Sequence, residues 1–186
     1  MSVCMRNLLV VSFTLLATVA EGQQLKPNEA FPEMSRLIRA FQGSYTTVEH
    51  HQPHEGFPEG GIRTGTTVIR SAAGGNAMLS EVHSHGPQGD LDFMGVFWWD
   101  PSSGVYRLLM CAKQFPAGCL AGATARWQDN KLVRTREVNQ DGKRIVLRDT
   151  ISFEPDSYTN VAEVSVDDGP MKEQIRTTAT RRRTDK

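Results

Sequence analysis

The sequence predicts an all-β fold, an antiparallel up-and-down β-barrel of about ten strands preceded by one short N-terminal α-helix. Two observations carry this. From Gly43 to Arg183, short β-type runs recur every ten to fifteen residues, each closed by a turn signal such as Asp100-Pro-Ser-Ser-Gly104, Asp129-Asn130, Asp141-Gly142, Glu154-Pro-Asp-Ser157 or Asp167-Asp-Gly-Pro170. A meander of that length must also hide its edge strands, and closing on itself does so, leaving an interior that is either packed or open to a ligand.

The elements follow in chain order. Residues 1–22 carry one positive charge at Arg6, an uncharged apolar run from Leu8 to Ala20, and the small-residue sequence Ala20-Glu21-Gly22. This reads as a cleaved secretory signal, because the apolar run is shorter than the roughly 18–20 residues that span a bilayer. The expected location is secreted or periplasmic, and Cys4 leaves with the signal. The mature chain, residues 23–186, is long enough for one domain with one core.

Met34, Leu37, Ile38 and Phe41 fall at i, i+3, i+4 and i+7, with Pro32 and Glu33 before them and Gly43 just past them. The spacing predicts one amphipathic helix of about ten residues whose apolar stripe lies on the end or flank of the barrel. Candidate strands follow at 44–52, 62–72, 77–85, 91–99, 105–112, 118–128, 131–139, 143–153, 158–166 and 171–182. Segment 53–61, rich in Pro and Gly, is the long loop among them.

Strand 91–99 is apolar on both faces: Leu91, Phe93, Gly95, Phe97 and Trp99 share one, while Met94, Val96 and Trp98 share the other with Asp92. Which face points inward is open. A hairpin turn at 101–104 sets Trp99 opposite Tyr106 and Phe97 opposite Leu108, cross-strand pairs worth about 0.2–1 kcal/mol each. Ala121, Ala123 and Ala125 alternate on strand 118–128, either leaving space in the barrel or accommodating large neighbours.

Composition excludes some partners. The chain has 21 basic and 21 acidic residues, which argues against nucleic acid or an anionic membrane as the main partner. Beyond the signal nothing is apolar enough to span a membrane. Cys111 and Cys119 are separated by seven residues, and in an oxidising compartment they read as a disulfide or, alternatively, as two buried thiols.

All five histidines lie between residues 50 and 85. His83 and His85 on one strand face place two imidazoles about 7 Å apart, with Glu81 on the same side. They are candidate ligands for zinc, or less readily for haem, although no cofactor is needed by the fold. Solvated polar residues at a loop mouth are the alternative. No Gly-x-Ser-x-Gly, phosphate-binding loop or His-Glu-x-x-His occurs, which lowers an enzymatic reading and names no catalytic residue.

The helix ending in Leu37–Phe41, then Gly43-Ser44-Tyr45, Glu81 leading into Asp92–Asp100, Gly104-Val105-Tyr106, Asp156-Ser157-Tyr158 and the closing Arg181 together resemble a domain-of-unknown-function family of secreted bacterial proteins with a calycin/lipocalin-like barrel. The resemblance implies a barrel with a ligand cavity and no established activity. Tyr45 stands where calycins usually have tryptophan. Ala179 stands two residues before Arg181, where members of the family often have an aromatic residue.

The expected function is therefore non-catalytic binding of a small apolar or amphipathic molecule, walled by Phe93, Phe97, Trp99, Tyr106 and Leu108. Arg107 is the preferred inward cation for a ligand carboxylate. A metal- or haem-dependent activity at His83 and His85 competes with it. So does a homodimer formed through the outer Met94-Val96-Trp98 face.

Overall fold

A computed structural model describes residues 29–54 and 57–183, so the signal segment and Cys4 lie outside the described residues. It forms a closed antiparallel barrel of ten strands in sequential order, with β1 (Gly43–His51) hydrogen-bonded to β10 (Lys172–Arg181). Between them run β2 (Gly61–Ala72), β3 (Ala77–Gly86), β4 (Gly89–Asp100), β5 (Val105–Ala112), β6 (Cys119–Gln128), β7 (Lys131–Gln140), β8 (Lys143–Glu154) and β9 (Ser157–Val166). Each boundary lies within two residues of its sequence-based expectation, because turn residues set it. At Asp141 (φ 51°) and Gly142 (φ 76°) both central residues have positive φ, as the favoured two-residue hairpin turn requires.

Helix α1 (Pro32–Phe41) starts on proline at its first turn and buries Met34, Leu37 and Phe41. It caps one end of the barrel. Two buried tyrosines hold it there: the Tyr106 hydroxyl donates to the Glu33 carbonyl at 2.8 Å and the Tyr45 hydroxyl to the Phe41 carbonyl at 2.8 Å. Trp127 Nε1 donates in turn to the Tyr106 oxygen at 3.1 Å, and the Arg36 guanidinium lies 4.2 Å from the Trp127 ring centre. The Phe41 ring meets Phe153 edge-on at 4.8 Å and Tyr158 at 5.5 Å. Edge-to-face pairs of this kind add about 0.5–1.5 kcal/mol beyond their buried area.

Tyr45 lies at the α1 end of the barrel. It is 1% exposed, sits opposite Arg181 in register and has the Arg181 guanidinium 5.0 Å from its ring centre. Arg181 also donates to the Gln42 carbonyl at 2.6 Å. Gly43 is required beside it: a Cβ there would lie 2.3 Å from the guanidinium, and its φ of 150° disfavours other residues. Ala179 is fully buried and pairs with Tyr158, whose ring lies 5.1 Å from that of Tyr45.

Strand β6 departs from the simple alternation. The register slips between Leu108 and Met110, with Gly122 (φ 92°) absorbing the extra residue as a bulge. Ala123 and Ala125 are buried while Ala121 turns outward and is exposed. Ala121 therefore does not share their face. The Cys111–Cys119 disulfide forms across this hairpin, between directly paired residues.

Candidate functional site

The barrel encloses a cavity of about 320 Å³, within the range of small-molecule sites. It runs from Phe41, the last residue of α1, to Leu91, Phe115 and Ile175 near the opposite end. Register decides its walls. In β4 the odd-numbered face points inward, so Leu91, Phe93, Gly95 and Phe97 line the cavity, joined by Met78, Val82, Leu108 and Met110 from β3 and β5. The even face is outside, where Met94 and Trp98 are 38% and 39% exposed.

Phe93, Phe97 and Leu108 line the cavity. Trp99 and Tyr106 do not line the cavity. They pair across β4 and β5 with ring centres 5.0 Å apart, in the layer that α1 covers, one alternation below the lumen floor. Arg107 also departs from expectation. It projects outward, where its Nε donates to Asp100 at 3.0 Å. Hydrogen bonds from Ser102, Ser103 and Arg107 hold the Asp100 carboxyl well below the usual carboxylate range, so Arg107 faces a permanent anion on the barrel exterior.

The lumen has a second, polar wall that the sequence reading missed. Glu49 on β1, Thr177 on β10 and Asn160 on β9 stand opposite one another in register, and all three line the cavity. Beside them, Arg134 on β7 and Asp149 on β8 form a two-bonded ion pair at 2.8 Å for each contact, with Asn160 Nδ2 donating to Asp149 at 3.2 Å. Fork-to-carboxylate geometry satisfies both charges where little water reaches them. Nearer the far end, His51 Nε2 lies 3.1 Å from Glu49, and the buried Arg63 approaches Glu49 at 4.0 Å while donating to the Gly89 carbonyl at 2.9 Å.

Two side-chain oxygens on this wall have no hydrogen-bond partner among the described residues: Thr47 Oγ1 and Asn160 Oδ1. A buried polar atom left unsatisfied costs about 1–3 kcal/mol, so these two mark a place where a polar group can bond. Below them, burial pushes the Tyr158 hydroxyl pKa up to about 12, with Tyr45 adding to the shift.

The histidines are dispersed. His83 and His85 lie on the outer face of β3, each with its Nδ1 on an aspartate of β4: Asp92 at 2.7 Å and Asp90 at 2.5 Å. Glu81 is turned to Arg70 at 3.6 Å. His50 is exposed on the outside of β1 and His51 faces the lumen, so alternation alone separates neighbours in sequence. Among the described residues no group of three or more His, Cys, Asp or Glu is placed to hold a metal ion. No helix among them is long and apolar enough to cross a membrane.

Fold and cavity together define a closed ten-stranded antiparallel barrel with an internal cavity. No protein-family model and no curated protein matches the chain. Among solved structures it is similar to the crystal structure of Rv2717c from M. tuberculosis, with a TM-score of 0.54 and 10% sequence identity over 83% of this chain and 100% of that one. At that identity the likeness is one of fold.

Proposed function

We propose that this protein is an exported calycin-like barrel that binds a small apolar or amphipathic molecule in its lumen without chemically changing it. The single observation that carries the reading is the cavity of about 320 Å³ between an aromatic and aliphatic wall and a polar stripe. A core without a ligand to hold would be expected to pack to the density of a crystal rather than leave such a space. Loss of residues 1–22 on export belongs to the same reading, and N-terminal sequencing of protein secreted by its host tests it.

Native mass spectrometry of that protein should show retained organic mass. Ala162 lines the cavity, and Ala162→Phe should fill the space and abolish retention while the barrel stays folded. Equal retention by wild type and variant would remove the lumen as the binding site.

A homodimer is the second reading, favoured by the exposed Met94 and Trp98 on the outer face of β4. Under it Trp98→Lys turns a dimer into a folded monomer; an unchanged elution volume counts against it.

A further inference from the structure

The polar wall specifies more than amphipathic character. We infer that the lumen selects a neutral ligand presenting an N–H or O–H donor beside an apolar body, as a primary amide does, and discriminates against a carboxylate. This rests on the proposed lumen binding and deepens it.

The direction of each unused group gives the argument. Asp149, as a carboxylate, accepts only, so the Asn160 amide bonded to it at 3.2 Å must present its NH2 side there. Asn160 Oδ1 is thereby fixed as the unpaired end, and it is an acceptor. Thr47, 3% exposed and on the same wall, has an unpartnered hydroxyl, and Glu49 beyond it also accepts. Asn160 Oδ1 can only accept, the Thr47 hydroxyl can accept as well as donate, and the Glu49 carboxylate adds acceptor capacity, so the stripe favours donors on the occupant.

Charge points the same way. Arg134 is the one arginine or lysine among the described residues that line the cavity, and its fork is already closed on Asp149, while His51 Nε2 is engaged with Glu49 at 3.1 Å. An entering carboxylate would find no uncommitted cation and would face Glu49 and Asp149, a like-charge arrangement in a poorly hydrated space. Arg134 keeps one outward donor: Nη1 has only the Met110 sulfur, at 4.0 Å. That N–H suits a neutral carbonyl oxygen. An amide therefore meets the wall with both of its atoms, giving N–H to Asn160 or Thr47 and accepting from Arg134.

The test is competition of decanamide and decanoate against the neutral fluorophore Nile red, on the full mature protein at neutral pH. Decanamide is expected to bind about tenfold more tightly than decanoate, the size of one well-placed hydrogen bond. In the near-isosteric Thr47→Val and in Asn160→Leu, the ratio of the two affinities, each measured against that variant's own Nile red Kd, should shrink severalfold. Equal affinity for the two chains, or tighter decanoate, overturns the donor inference and leaves lumen binding intact. A preference unchanged in both variants overturns it too. Failure of Nile red and both chains to bind would instead sink the lumen reading on which the inference rests.

Discussion

Replacing Asp149 by asparagine tests the electrostatic design of the lumen most directly. In the wild type its carboxylate takes two bonds from Arg134 at 2.8 Å and one from Asn160 at 3.2 Å, and the two charged side chains are only 19% and 14% exposed. Asp149→Asn keeps the shape, removes the charge and turns an amide NH2 toward groups that are themselves donors. Breaking one side of such a buried pair costs about 3 kcal/mol, at the low end of the usual range because some solvent reaches it. For a domain of this size that is a fall in Tm of about 6–12 °C. Arg134, left without its anion, should then accept a ligand carboxylate. Decanoate, the weaker ligand of the wild type, should bind the variant more tightly and at about a hundredfold excess over its Kd return about 2.7 kcal/mol of stability. Thermal unfolding with and without decanoate reads both effects. A Tm within about 2 °C of wild type, or a variant that decanoate does not stabilise, refutes the reasoning, since either means that the pair is not shielded from water as the structure places it.

Two further predictions concern stability. The Tyr158 hydroxyl pKa is raised from 10 to about 12, so the folded state holds that proton more tightly than the unfolded chain does. Its contribution is complete below pH 10 and is lost as pH climbs toward 12, reaching a loss of about 1.4 kcal/mol by pH 11. Urea unfolding at pH 9 and pH 11 should therefore show a smaller alkaline loss in Tyr158→Phe than in wild type, and identical losses would show that the hydroxyl is hydrated. Removal of the Cys111–Cys119 bond in the double serine variant should lower stability by about 2–3 kcal/mol, the chain-entropy value for a loop this short. Chemical denaturation checks it, and a change under about 0.5 kcal/mol would mean that the β5–β6 hairpin is equally constrained without the bond.

How much of the site was legible depends on distance along the chain. Phe97 and Leu108 were placed opposite each other because a short turn fixes hairpin register, and the same logic reaches Arg134 and Asp149. The Asp141-Gly142 turn sets those two in register across β7 and β8, on faces shared with Leu132 and Ile151. Charged residues at matching inward positions of one hairpin were a readable signal, masked by the habit of assigning strand arginines to water. Arg107 shows why that habit fails in both directions: its neighbours in sequence are apolar, yet its parity with Leu109 puts it outside, against Asp100. Ala121 shows the limit of parity itself, since one left-handed glycine reverses the alternation.

The amino-acid sequence alone determined the local elements: where α1 lies, where ten strands begin and end, and which residues of neighbouring strands face each other. Those are set by turn dihedrals, periodicity and short-range pairing, all of which act within a few residues. Closure of β1 on β10 belongs to tertiary structure, and with it the stripe that joins Glu49 to Thr177 and Asn160 from opposite ends of the chain. Also decided there is which of two apolar faces of β4 becomes the lumen, because that choice goes to the face that α1, Tyr45 and Tyr158 can seal from water.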